Sequence, residues 1–244
     1  MTPVAAAALA DHPDPFVRHQ IDPDQVRGAW VAGDATAVAA TGHLPAGTGT
    51  VLTLLGPAAA VSDLATSLVG TIEQPWRVTA PADAADDLPS VWRHTDRWHW
   101  HWMLTTTAPA PAAVAVVEVT SADEINALLD LAAPTAHARP GSRGVECWLG
   151  VREAGALVAV GALVRQHDRT GHLRAVTVLP DWRGRGLGRE LSAALTRRAL
   201  TDGSGVATLG VYTDNHPAVA IYRGLGYDVV HTFTSGSLAD RLTR

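Results

Sequence analysis

Leu179-Pro180-Asp181-Trp182-Arg183-Gly184-Arg185-Gly186-Leu187-Gly188-Arg189-Glu190 joins a strand-like run to a helical one through three glycines. The residues before it, 172–178, have the composition of a strand. Those after it set Leu187, Leu191, Ala194 and Leu195 on one apolar stripe of a helix. A strand, a glycine-rich turn and a helix together make a device for holding an anion. Glycine lets the backbone come close to a ligand and adopt positive φ. The first N–H groups of a helix have no intrahelical acceptor and sit at the positive end of its dipole. A phosphate or pyrophosphate fits there. Arg183, Arg185 and Arg189 add positive charge.

An isolated glycine turn is more often a plain helix start, so the alternatives must be weighed. A P-loop needs Gly-Lys-Ser/Thr. All 19 basic residues here are Arg, which excludes that loop and with it a Schiff-base or general-base lysine. A dinucleotide fold places Gly-x-Gly-x-x-Gly directly after its strand. Here the glycines fall at 184, 186 and 188, with Pro180, Asp181 and Trp182 intervening, so that pattern fails too.

Upstream, the chain alternates short apolar runs with turns. Ser121-Ala122-Asp123-Glu124 has the spacing of a capping box and predicts a helix to about Leu131. Residues 114–119, 146–152, 156–165 and 172–178 predict strands; the last three form an antiparallel meander. A meander is unlike the βαβ start of a doubly wound fold. Downstream, residues 206–212 predict a strand, followed by Asn215-His216-Pro217-Ala218-Val219-Ala220-Ile221-Tyr222-Arg223-Gly224-Leu225-Gly226-Tyr227.

The two segments together resemble the GCN5-related N-acetyltransferase (GNAT) superfamily. Arg183, Gly186 and Gly188 match its Arg/Gln-x-x-Gly-x-Gly/Ala motif. The downstream segment is similar to its Asn-x-x-Ala-x-x-x-Tyr-x-x-x-Gly-Phe/Tyr pattern at every fixed position. The resemblance spans about residues 114–233. It implies a mixed, mostly antiparallel sheet flanked by helices (α/β, of the α+β kind), and acetyl-CoA as acyl donor. By position it assigns the CoA pyrophosphate to the backbone of Arg183, Gly184, Arg185, Gly186, Leu187 and Gly188. Main-chain groups of Val176 and Val178 would hold the pantetheine arm, with Asn215 near it. Asn is also a good helix N-cap.

Tyr222 matches the tyrosine that protonates the leaving thiolate; its bland alternative is a buried aromatic of a helix. Some members carry a glutamate base eleven positions before the motif's Arg/Gln. That place holds His172, whose ordinary pKa near 6.5 suits base work. The change from Glu leaves a solvent-facing His as the competing account. Glu146 is a weaker candidate, and ordered water serves where no direct base exists. The acceptor implied is a primary amine of a small molecule or a protein. A non-catalytic acyl-CoA-binding sensor is the alternative; it shares the loop but has no use for Tyr222.

Outside this region the chain is less legible. Thr105-Thr106-Thr107-Ala108-Pro109-Ala110-Pro111-Ala112-Ala113 has no apolar period and two prolines. It sets an expected division into an N-terminal domain over 1–107, a linker over 108–113 and a catalytic domain over 114–244. In the first part a hairpin is expected about Gly33-Asp34, a strand over 50–55, a helix over 58–69 and a turn-rich stretch over 81–89. The strand–helix junction at Gly56-Pro57-Ala58 suits a degenerate second copy of the same fold, without its own loop for CoA. An unrelated small α/β domain is the other expectation. Trp98, Trp100 and Trp102 alternate with His99 and His101, which puts the two residue types on opposite faces of a strand. Two His without a third ligand are more often surface than metal site, and no metal is expected.

Composition excludes several classes. Net charge is −5 over 244 residues with no block of like charge, which argues against a nucleic-acid partner. Cys147 is the single cysteine, so no intrachain disulfide forms. No positively charged n-region opens the chain, and no apolar run approaches the roughly 20 residues of a membrane helix. A cytoplasmic protein, monomeric or homodimeric and free of membrane, is the resulting expectation.

Overall fold

A computed structural model describes residues 1–44 and 47–238. In chain order the strands are β1 (Thr2–Pro3), β2 (Val26–Ala32), β3 (Ala35–Leu44), β4 (Gly47–Leu55), β5 (Arg77–Pro81), β6 (Trp98–Thr105), β7 (Val117–Glu118), β8 (Val145–Glu153), β9 (Ala156–Arg165), β10 (Gly171–Val178), β11 (Ala207–Tyr212) and β12 (Asp228–Ser237). The α-helices are α1 (Pro15–Gln20), α2 (Ala58–Leu68), α3 (Ala122–Ala132), α4 (Leu187–Thr201) and α5 (His216–Gly224). Two compact units result. Among the described residues the first comprises Met1–His101, Tyr212–Asp214 and the stretch from His231; the second comprises Trp102–Val211 and Asn215–Val230.

In the second unit β8, β9 and β10 form the expected meander, and β10 runs parallel to β11. The strand expected over 114–119 shrinks to β7, paired with Gly150 and Leu149 of β8. Pro109 and Pro111 upstream carry no N–H for a ladder, and residues 106–116 lie outside named strands. That segment is tied instead to α4, through the Pro109 carbonyl (3.0 Å from Arg197) and the Ala113 N–H (2.5 Å from Glu190).

β9 is buried along almost its whole length because helices cover both its faces. Ala159 and Leu163 join the cluster around α4, with Leu187, Leu191 and Leu195. Val160 and Ala162 join the cluster around α3, with Ile125, Leu128 and Leu129. Ser121 caps α3 by accepting the Glu124 N–H at 3.3 Å. The Glu124 carboxylate goes to Arg152 of β8, at 2.8 Å through each oxygen.

The first unit repeats this order of elements. β2, β3 and β4 are antiparallel, α2 follows, and β5 returns parallel to β4. The hairpin expected at Gly33-Asp34 closes β2 on β3 with Gly33 at φ +56°. α2 packs Val61, Leu64, Ala65 and Leu68 against Leu52, Leu54 and Val78. β12 completes the unit antiparallel to β5, with Thr79 and Ser235 sharing a buried 2.7 Å hydrogen bond. On the same side Phe16 and Trp100 pack on Phe233, at 4.9 and 5.1 Å between ring centroids.

The alternation of β6 holds. Trp100 lies in that aromatic cluster, while His99 and His101 bond Thr234 and Thr232 at 2.9 Å. Among the described residues no group of three His, Cys, Asp or Glu is placed to hold a metal ion. No described helix is long and apolar enough to cross a membrane.

Candidate active site

The site begins where β10 parts from β11. Their parallel pairing covers Gly171↔Ala207, His172↔Thr208 and Leu173↔Leu209, and no further position. β10 stays on β9 to Val178, but with a register shift between Arg174 and Thr177 and Ala175 at φ +52°. This is a β-bulge, which bends the strand and re-aims its side chains. Beyond Leu173 the main chain of β10 therefore faces a gap on the β11 side. Val176 and Val178 border that gap and pack into the α4–α5 cluster.

The glycine-rich turn follows. Pro180–Trp182 makes one 3-10 turn, and Gly184 and Gly186 take φ of +76° and +79°. Gly186 is the N-cap of α4 and offers no side-chain cap. Among the described residues no hydrogen bond engages the N–H groups of Gly184, Arg185, Gly186, Leu187 or Gly188. A Cβ built on Gly184 or Gly186 meets nothing within 4 Å, so the space over the turn is open. Arg183 is pinned back by Nε donating to the Val178 carbonyl at 3.1 Å. Arg185 stacks on Trp182 at 4.4 Å and donates to the Asp181 carbonyl. Free donors, positive φ and open space suit a pyrophosphate.

Tyr222 reaches the same cluster from α5. It lies with Leu187 and Val219, and Val176, Val178 and Ile221 pack against them. It is 9% exposed, and burial pushes its hydroxyl up to about 12 although a hydrogen bond to Ser192 of α4 pulls the other way. Tyr227 bonds Thr196 at 2.8 Å, and Thr196 donates to the Ser192 carbonyl at 2.7 Å. Asn215 is the N-cap of α5, its side chain accepting the Ala218 N–H at 3.2 Å.

His172 lies elsewhere. Leu173, next to it, faces α4; by strand alternation His172 faces away, on the side where α3 packs. It is 5% exposed, with Nδ1 2.8 Å from Thr208 Oγ1. Burial, then the charge of Arg174, lowers its pKa well below the ordinary value. The surface account of this His therefore fails. Sequence gave no hint of Thr208, because only the parallel register brings it beside His172. Glu146 is spent on Arg165, which also donates to the Ala199 and Arg198 carbonyls at the end of α4.

Residues 114–227 match the acetyltransferase (GNAT) family. This segment is a GNAT domain. Two curated relatives agree over shorter stretches. A mycothiol acetyltransferase of Corynebacterium jeikeium is 43% identical over 65 residues, 27% of this chain and 19% of that protein. One of Saccharomonospora viridis is 42% identical over 62 residues, 25% and 20%. The chain thus spans about a fifth of the length of these relatives.

Among solved structures, a GCN5-related N-acetyltransferase from Kribbella flavida aligns over 99% of this chain and 98% of its own, with TM-score 0.57 and 21% identity. One from Sphaerobacter thermophilus covers 86% and 81%, with TM-score 0.56 and 16% identity. At these identities the likeness is one of fold. It agrees with the mixed, mostly antiparallel sheet and flanking helices of the GNAT domain.

Proposed function

We propose that the chain moves an acetyl group from acetyl-CoA to a primary amine by direct attack on the thioester. The observation that carries this is the pairing of an open glycine turn at the head of α4 with the gap between β10 and β11. The turn offers N–H groups to the pyrophosphate, and the gap offers the main chain of Val176 and Val178 to the pantetheine arm. Acetyl-CoA supplies the acyl group as co-substrate.

The chemistry divides between the faces of β10. The amine must lose a proton, attack the carbonyl carbon and expel the thiolate as the C–S bond breaks. Main-chain N–H groups stabilise the oxyanion in such a step. Tyr222, protonated at neutral pH, is the proposed hydrogen-bond donor to the departing sulfur. His172, unprotonated at neutral pH, is the proposed acceptor of the amine proton, directly or through water. A cytoplasmic setting suits acetyl-CoA and the single cysteine. The first unit is proposed to be a degenerate copy that does not hold CoA. Its element order supports this, and Gly56 and Pro57 alone separate β4 from α2. Pro57, the N-cap, lacks an N–H, and a Cβ on Gly56 would sit 2.5 Å from the Asp34 carbonyl oxygen.

A second reading, a non-catalytic acyl-CoA sensor, draws on the burial of Tyr222 and its bond to Ser192. Thermal unfolding with acetyl-CoA, and with NADH as control, tests the shared premise. At about 100 times Kd, linkage gives roughly 2.7 kcal/mol, a Tm rise of roughly 5–10 °C for a chain of this size. No rise at saturation would reject both readings. A rise with turnover of amines, followed as free thiol, favours the enzyme; a rise without turnover favours the sensor.

A further inference from the structure

Among the described residues Arg174 is a cation without a counter-ion. It follows His172 by two on β10 and shares its face, at the bulge. Its Nε is shut from solvent with no hydrogen-bond partner, while the side chain as a whole stays partly exposed. No carboxylate pairs with it among the described residues. A second orphan lies in the same cross-strand row. Trp148 of β8 and Arg174 are both in register with Ala162 of β9, and the Trp148 indole N–H is also buried without an acceptor. Trp148 is 6% exposed, and Ala162 between them contributes only a methyl group.

Two buried donors in one row, one of them on a cation, are costly unless something accepts from them. Where a native structure tolerates such a cost, a ligand is one physical reason. The gap assigned to the acyl donor opens along the β11 edge of the same strand, beyond Leu173.

We propose that the face of β10 bearing His172 and Arg174 binds the carboxylate of the acceptor, so that the acceptor is an amine carrying its own carboxylate. Such an amine anchors its anion on Arg174 and presents its nitrogen beside His172, two residues away along the strand. An α-amino acid is the simplest member of the class. Guanidinium and carboxylate make the strongest hydrogen bonds available between side chain and substrate. The inference rests on the acetyltransfer reading and narrows it to a substrate class.

The test uses the full chain saturated with CoA. Probes are matched pairs of N-acetyl-L-amino acids and their amides, which resemble the product and differ in the carboxylate alone. Thermal unfolding is followed for wild type, Arg174→Gln and Arg174→Met. The Met variant removes the charge without burying a new polar group, so it stays folded even if the Gln variant does not. The expected result is that the acid outperforms its amide in wild type and that both variants abolish the difference. The loss of affinity should be roughly ten- to a hundredfold, the worth of a charge-assisted hydrogen bond. Equal behaviour of acid and amide in every wild-type pair overturns the proposal, as does a preference that the variants retain. If CoA itself produces no shift, the acetyltransfer reading falls and this inference with it. A CoA shift without carboxylate preference sinks this inference alone.

Discussion

Tyr222 and His172 flank β10 from opposite sides, and each is tied to one hydroxyl partner, Ser192 and Thr208. Removing the phenol oxygen (Tyr222→Phe) should cut kcat by roughly 10²–10⁴, the usual range for a lost proton-transfer group. The Tm rise with acetyl-CoA should survive; loss of that rise instead would make Tyr222 a packing residue. His172 predicts a pH effect on stability. Its folded pKa lies below 6.5, so the unfolded chain takes up the proton first. Its contribution is intact above 6.5 and drains away as pH falls from there toward the folded value. His12 and His94 are lowered in the same direction, chiefly by burial. Urea midpoints should therefore drop on acidification, and His172→Gln should flatten the drop by up to about 1.4 kcal/mol per pH unit. An unchanged slope in the variant would refute this. Tyr222 was readable from its spacing to Asn215 and Gly226. Thr208, Ser192 and the isolation of Arg174 were not, because each depends on register or helix rotation rather than on neighbours in the chain.

At the scale of elements, the head of α4 combines positive φ at Gly186 with open space. Gly186→Ala meets no clash, so its cost is that of a left-handed backbone alone, about 1–2 kcal/mol. It should lower the urea midpoint and weaken acetyl-CoA binding together; a stability loss with binding untouched would remove the turn from the donor site. The capping box of α3 is half used. Ser121 caps the helix, but Glu124 turns to Arg152 rather than serving the box alone. Ser121→Ala should cost about 1 kcal/mol, read by urea denaturation. The sequence showed the box; it had no means of showing that β8 would place an arginine opposite.

At the scale of the molecule, β12 matters most. Its pairing from Phe233 to Ser237 with β5 places the last described strand in the first unit. A fragment of residues 1–107 therefore lacks a strand, the partner of Thr79 and the aromatic ring that Phe16 and Trp100 pack against. It should fail to give a cooperative unfolding transition. A sharp transition from that fragment would show that the unit stands without β12. The turn, the helix it opens, the meander before it and the Asn-to-Tyr segment after it are legible in the order of residues. These are local matters of glycine, apolar period and motif spacing. Which strands pair across long separations, where β10 leaves β11, and which face receives His172 and Arg174 emerge on folding. A side chain's face and partner are set by register and by a one-residue bulge, and neither leaves a mark in the order of residues.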